Sequence, residues 1–324
     1  MRRPFAEFLR HASSRAFCYQ LLVAGLALAL VWLLVEQTGA ELQTRGIRSG
    51  FAFLFEPAGF SIGESVLDFD AAQPYWRAFL VGVLNTLRVA LAAIVLATVL
   101  GLCLGACSLT RNVLLRGLCR AYVEVFRNIP LLLQLLTWYF LLAEKLPSAD
   151  AALNPLPGVF LSKSGLAFPW GGEVPAAGDF GIAGGGTVTP EFLALLLGLS
   201  GYGAAYLAEI VRAGILSVPR GQVDAAAALG MTPLQGLRAV VLPQALRLMI
   251  PPATNQFLNL TKNSSLAVGI GYPDLVAVFA GTTLNQTGQA IEIIAVTMGV
   301  YLVLSIITSV IMNAYNRRVA LVER

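Results

Sequence analysis

Charge is scarce in this sequence: 12% of its 324 residues are charged, about half of the roughly 25% usual in soluble chains. Such a surface budget excludes an ordinary soluble enzyme. Histidine occurs once, at His11, so a histidine-containing metal site is not expected, and no metal ligand set is assigned. The four cysteines, Cys18, Cys103, Cys107 and Cys119, lie in or beside apolar runs and do not read as a disulfide framework. No glycine-rich loop ending in Lys-Ser or Lys-Thr is present, so the chain by itself is not expected to hydrolyse nucleotides. Basic residues are spread along the chain rather than gathered in a stripe, which argues against a nucleic-acid partner.

What is abundant is apolar sequence, at 57%. Six stretches approach or exceed the roughly 20 residues that a helix needs to cross hydrocarbon. They lie at about 19–35, 80–108, 121–143, 190–210, 249–270 and 291–314. The third and fifth carry charge, with Glu124, Arg127 and Lys262 inside or at their edges. The first follows Arg2, Arg3, Arg10 and Arg15 and lacks a clear small-residue cleavage pattern, so it reads as a retained anchor rather than a leader. Arginines also cluster after spans two and four and at the end of the chain, while the connection at 36–79 leans acidic. This sidedness places both termini in the cytoplasm and the lipid bilayer around the spans.

Two outward connections stand out. In 36–79, Tyr75, Trp76 and Phe79 read as interfacial anchors. The segment 144–189, with "GIAGGG", reads as an irregular loop. Within span two, Gly101 and Gly105 are four residues apart, a spacing that lets another helix approach closely.

Between spans four and five lies a polar unit, "QVDAAAALGMTPLQGLRAVVLP". Pro219 and Gly221 punctuate its start, and Gly230 suits a left-handed residue after a short helix. Thr232 and Gln235 form a capping box with Pro233 in the first turn, and Pro243 is expected to end or kink the helix there. Two short helices joined by a tight turn make a rigid piece. Its second helix has one basic residue and is mostly apolar, so it is not a DNA reader. A docking element for a soluble partner is the better reading.

This unit resembles the cytoplasmic loop of membrane subunits of ATP-binding-cassette importers, through Asp224, Ala225, Ala226, Gly230, Leu242 and Pro243. The usual acid there is glutamate, and Asp224 is one methylene shorter. "TLRVALAAIVLATVLGLCLG", "YVEVFRNIPLLLQLLTWYF", "AYLAEIVRAGILSVPRGQ" and "LPQALRLMIPPATNQFLNLTKNSSLA" are similar to successive signatures of the polar amino-acid branch. The tail "NQTGQAIEI…NRRVALVER" resembles the broad-specificity L-amino-acid permeases within it.

The resemblance implies an all-α membrane protein: a five-span permease core of the MetI-like type I fold at 80–324, with its coupling loop at about 217–244. One additional transmembrane helix would precede it within 1–79. It implies a bacterial inner-membrane location and a second permease subunit, related but different. It also implies two ATP-binding subunits that carry ATP and Mg, a periplasmic amino-acid-binding protein and, for this chain itself, no bound cofactor and no enzymatic activity.

The fifth span is read as interrupted by Pro251 and Pro252, and it carries Asn255, Lys262, Asn263, Ser264 and Ser265. Polar groups in a span face a bundle interior or a wet cavity. For Asn255 and Ser265, bonding between helices competes with a place on a solute path. Lys262 could attract a substrate carboxylate, snorkel to the surface, or pair with Glu209. Glu124 and Arg127, three apart, read as a salt bridge, an interface anchor or gating contacts. Glu209 and Arg212 share one helical face and are expected to pair. An ion-driven carrier using Glu124, Glu209, Asp274 and Glu292, and a noncatalytic scaffold, remain the alternatives.

Overall fold

The computed structural model describes residues 12–44, 50–178 and 181–319. His11, the arginines at 2, 3 and 10, and residues 320–324 lie outside them. The chain divides into two units, Met1–Phe51 and Ala52–Arg324. The first contains one helix, α1 (Ala12–Thr44), which includes the apolar stretch Tyr19–Leu34.

In the second unit, α2 (Tyr75–Cys107) and α5 (Pro190–Leu216) are long apolar helices. They pack against each other through glycine and alanine. A Cβ added at Gly101 would stand 2.6 Å from Leu207 Cβ, and one at Gly105 would stand 2.8 Å from the Ala208 carbonyl oxygen. The small residues therefore bring two backbones into near contact, which maximises dispersion where lipid offers no hydrophobic drive. Around this seam, Val89, Leu135, Leu195, Leu199, Leu260 and Tyr272 form the main core.

The expected third span is not straight. It is two helices, α3 (Val113–Asn128) and α4 (Leu131–Lys145), bent by 105°. Pro130 cannot donate a backbone bond and drives Ile129 to an extended conformation, φ −94° and ψ 130°. The apolar count runs through this corner and conceals it.

The segment expected to be loop contains six short antiparallel strands: β1 (Leu153–Leu156), β2 (Val159–Ser162), β3 (Gly165–Phe168), β4 (Ala176–Gly178), β5 (Gly181–Ala183) and β6 (Gly186–Val188). One sheet has the order β1-β2-β3-β6 and the other pairs β4 with β5. The glycines of "GIAGGG" supply β5 and the turn leading into β6.

The proline-rich fifth span also departs from expectation. After the short α6 (Arg220–Ala228), a turn leads into α7 (Pro233–Gly236). A wide π-type turn comes next at Leu237–Val241, and then α8 (Leu242–Asn263) without a break. Pro243, Pro251 and Pro252 sit inside helix rather than ending it. In the wide turn, the Leu242 N–H reaches back to the Leu237 carbonyl, so the missing donor of Pro243 is absorbed by a local change of pitch. The regular helix ends at the 3₁₀ segment Ser264–Ile270, closed by Gly271 with φ 80°. A second wide segment, Val276–Thr283, and the single turn α9 (Leu284–Thr287) lead to α10 (Ala290–Val319).

Among the described residues, three helices are long and apolar enough to cross a membrane: α2, α5 and Ala290–Asn316 of α10. The bent α3–α4 pair makes a fourth if taken as one span. Helix α8 is not among them, its length being interspersed with polar side chains. The architecture is a multi-span all-α fold with a small β addition.

Candidate functional site: a docking corner, a polar stripe and a charged cavity

The polar unit forms a corner. Gly230 has φ +79°, a conformation open to glycine and costly for a residue with a Cβ. Two residues on, the Thr232 hydroxyl accepts from the Gln235 N–H, and the Gln235 side chain accepts from the Thr232 N–H at 2.8 Å. Both ends of the turn are thereby fixed. Ala226 is buried, and a Cβ added at Gly236 would stand 3.8 Å from its Cβ, so the two helices close on each other. Val218, Val241, Ala245 and Met249 anchor the corner to α5 and α8. Gln244 donates to Gln222 across the same junction.

What remains outside is Asp224 and Ala225, with exposed Leu229, Leu234 and Leu237 beside them. Leu242 is exposed and Pro243 half-buried at the start of α8. An apolar tip with one carboxylate, held on a braced turn, is suited to seat in a groove of another protein.

Helix α8 carries a second surface. Asn255, Asn259 and Lys262, at spacings of four and three, form an exposed stripe. Ser264 does not join it: it is fully buried and donates to the Thr261 carbonyl at 2.7 Å. Ser265 turns its hydroxyl to the Lys262 carbonyl at 2.8 Å, and Asn263 is half-buried. No ion pair joins Lys262 to Glu209 among the described residues.

Glu209 pairs instead with Arg212, with contacts at 2.9 and 2.5 Å. Glu124 and Arg127 do not pair with each other. Asn128 donates to the Glu124 carboxylate at 3.1 Å, and the Arg127 guanidinium lies 5.1 Å above the Tyr206 ring. Between α3 and α5, Glu124, Arg127, Glu209 and Arg212 border a cavity of about 320 Å³, together with Arg120 and Ser108.

At the opposite end of the bundle lies a cluster that sequence reading left unassembled. Arg88, within α2, donates to Glu64 Oε1 at 2.6 Å and stacks 4.5 Å from the centre of the Phe192 ring. The Thr189 N–H and hydroxyl both donate to Glu64 Oε2, while the same hydroxyl caps α5. Asn85 donates to the Glu64 and Pro273 carbonyls at 2.8 and 2.9 Å. Asp274 is buried, accepting from the Ala277 N–H at 2.8 Å and from the Tyr301 hydroxyl at 3.3 Å. The available signal was Arg88 itself, since a charge inside a span requires a partner.

Tyr75 and Phe79 belong to this end as well. Tyr75 is buried against Phe53 and Phe60, and its hydroxyl donates to Gln286, so it is core rather than interfacial anchor. Phe79 packs edge-on against Phe279. Trp76 is exposed.

Residues 94–321 match the family of binding-protein-dependent transport system inner membrane components. The chain belongs to this family. It is therefore a multi-pass inner-membrane permease subunit, of a family that works with a separate ATPase and a binding protein.

YhdX of Escherichia coli (strain K12) is 42% identical, over 96% of this chain and 95% of its own length. The general L-amino acid transport system permease protein AapQ of Rhizobium johnstonii is also 42% identical, over 96% of this chain and 93% of that protein. Among solved structures, an amino acid ABC transporter crystallised with histidines matches at TM-score 0.58 and 27% identity, covering 75% of this chain and 95% of that one. The MetNI methionine ABC transporter matches at TM-score 0.53 and 20% identity, covering 76% of this chain and 98% of its counterpart, a likeness of fold.

Proposed function

We propose that this chain forms the solute path of an amino-acid importer together with a second, related permease, and transmits the work of two ATP-binding subunits to that path. The chain is the membrane permease component; hydrolysis, with its ATP and Mg, belongs to the partner ATPase. The observation that carries the amino-acid reading is the 42% identity to a general L-amino acid permease over nearly the whole of both chains.

The finer reading rests on the geometry. The corner at Asp224, Ala225, Ala226 and Gly230, with Leu242 and Pro243 behind it, seats in the ATPase. The Asn255, Asn259 and Lys262 stripe faces the path, because polar groups left uncovered by their own subunit fit water or a partner better than lipid. Asn263 and Ser265 adjoin that stripe, and the buried Ser264 supports it from within. The span set is five plus the added α1, with both termini cytoplasmic and a periplasmic amino-acid-binding protein delivering solute.

The test is purification of the tagged chain from its native membrane, with mass spectrometry of its companions and reconstitution into vesicles. Recovery of an ATPase and a second permease, with ATP-dependent uptake of amino acids, is expected. Uptake driven by an ion gradient without any ATPase would overturn the proposal.

A further inference from the structure

We infer that the cavity between α3 and α5 is a transit site for amino acids, in which Arg127 and Glu124 hold the α-carboxylate and α-ammonium groups, and Arg120 takes the side-chain carboxylate of acidic amino acids. This rests on the amino-acid importer reading and adds a site to it.

The cavity of about 320 Å³ lies within the size range of small-molecule sites, about 300–1,000 Å³. Three guanidinium groups and two carboxylates border it: Arg120, Arg127, Arg212, Glu124 and Glu209. Glu209 and Arg212 satisfy one another with two bonds and close that part of the wall. Among the described residues, Arg120, Arg127 and Glu124 have no ion-pair partner within 4.0 Å. Two positive groups and one negative group, all exposed and with the Glu124 carboxylate also accepting from Asn128 at 3.1 Å, border the same space. An acidic amino acid carries the complementary set, two carboxylates and one ammonium, whereas a neutral one carries a single pair.

A second cavity, of about 420 Å³, adjoins the first and shares Arg127 and Glu209 with it. Its wall is largely apolar, with Ile210, Leu248, Pro252 and the Tyr206 ring. Arg127 thus stands where the two lobes meet, held there by its face-on contact with Tyr206. A group common to every solute belongs at the common position, so Arg127 takes the α-carboxylate. Arg120 and Glu124 border the charged lobe alone; Glu124, the one carboxylate there without an ion pair among the described residues and three residues from Arg127, takes the α-ammonium, which leaves Arg120 for a charged side chain. Uncharged side chains have the apolar lobe. The arrangement admits many amino acids yet adds a contact for acidic ones.

The cavity also lies near the C-terminal ends of α2 and α5, marked by Ser108 and Arg212, at the same end of the bundle as the docking corner. Solute held here is at its last station before release.

The experiment uses the whole importer complex in nanodiscs without its binding protein, and measures equilibrium binding of glutamate and leucine. In Arg120→Gln, glutamate binding is expected to weaken about tenfold, as for loss of a charge-assisted bond, while leucine stays within about twofold. In Arg127→Gln and Glu124→Gln, both solutes are expected to weaken about tenfold. Arg120→Lys, which keeps the charge, is expected to retain most of the preference and guards against a variant that fails to assemble.

Unchanged binding of both solutes in all three neutral variants would overturn the inference. So would native mass spectrometry showing a phospholipid held by the wild type and lost from Arg127→Gln with solute binding intact. Uptake by the wild-type complex separates the two levels. If ATP and the binding protein drive no amino-acid uptake, the importer reading fails. If uptake proceeds and the variants behave as wild type, this site alone fails.

Discussion

Replacing Gly105 by alanine measures how rigidly α2 and α5 are held together. The new Cβ would stand 2.7 Å from Val211 Cβ and 2.8 Å from the Ala208 carbonyl oxygen. Carbon atoms prefer separations of about 3.5–4.0 Å, so the seam must open by roughly 1 Å at this point. The oxygen belongs to helix backbone and cannot rotate aside, and overpacking of this kind costs about 1–3 kcal/mol. Alanine returns about 1 kcal/mol through its better helix propensity. The expected net loss is therefore between about zero and 2 kcal/mol, and Gly105→Val exceeds it. Gly299→Ala in α10 is the control, because no atom lies within 4 Å of the added Cβ and only the propensity gain applies. Unfolding in mixed micelles on titration with denaturing detergent should rank the proteins Gly299→Ala, wild type, Gly105→Ala and Gly105→Val, from most to least stable. A Gly105→Ala protein as stable as the Gly299→Ala control would refute the reasoning and mean that the two helices part freely.

Arg88→Met strands the Glu64 carboxylate, whose side chain is 8% exposed, while Arg88 itself is 31% exposed. A loss of about 1–3 kcal/mol is expected after allowing for water at the arginine. Cleavage between residues 52 and 74 by added protease should then quicken, and an unchanged rate would sink the clasp; Glu64→Met in the same chain should restore part of the loss. Gly230→Val forces a β-branched residue to φ +79°, at about 1–2 kcal/mol. Recovery of the ATPase on the tagged permease and uptake by vesicles should both fall, and normal values of both would count against the docking corner. Thr232→Ala removes the capping box and costs about 1 kcal/mol. Amide hydrogen exchange across residues 232–236 should speed up about fivefold, and equal exchange would show that the cap contributes nothing.

The helices that cross alone were legible because length and apolarity are local properties. Helices α2, α5 and α10 stand where the apolar runs stand, and Gly101 and Gly105 announced a close approach without naming its partner. The corner between α3 and α4 was half visible: Pro130 was there to be read, but the apolar count on both sides made one span of two helices. At Pro243, Pro251 and Pro252 the reverse happened. Proline marks a missing bond, and whether the helix ends depends on whether the neighbouring turns can absorb it.

The strands at 153–188 are three or four residues long, too short for an alternating pattern to emerge from glycine-rich sequence. Of the site, the capping box and Gly230 could be derived from spacing alone. The Glu64–Arg88–Thr189 cluster joins residues 24 and 125 positions apart, and no periodicity links them. The charged cavity likewise depends on the angle at which α3 meets α5, which no single stretch encodes.

The wide turn at Leu237–Val241 is an indexing device. From Thr232 onward the chain is one continuous rod to the end of α8, roughly 45 Å long at the usual rise. The second half of the docking corner, with Leu234 and Leu237, and the Asn255–Lys262 stripe are two faces cut on that rod, like the bow and bit of a key. Each residue of a regular helix turns the rod by about 100°, and a π turn carries one residue more than an α turn. Deleting one residue there would restore an ordinary α turn and leave the two faces nearly in phase, whereas adding one residue to the regular helix between Leu242 and Asn255 would swing one about 100° out of phase with the other. An importer carrying that added residue should still capture its ATPase and hydrolyse ATP, while solute no longer moves.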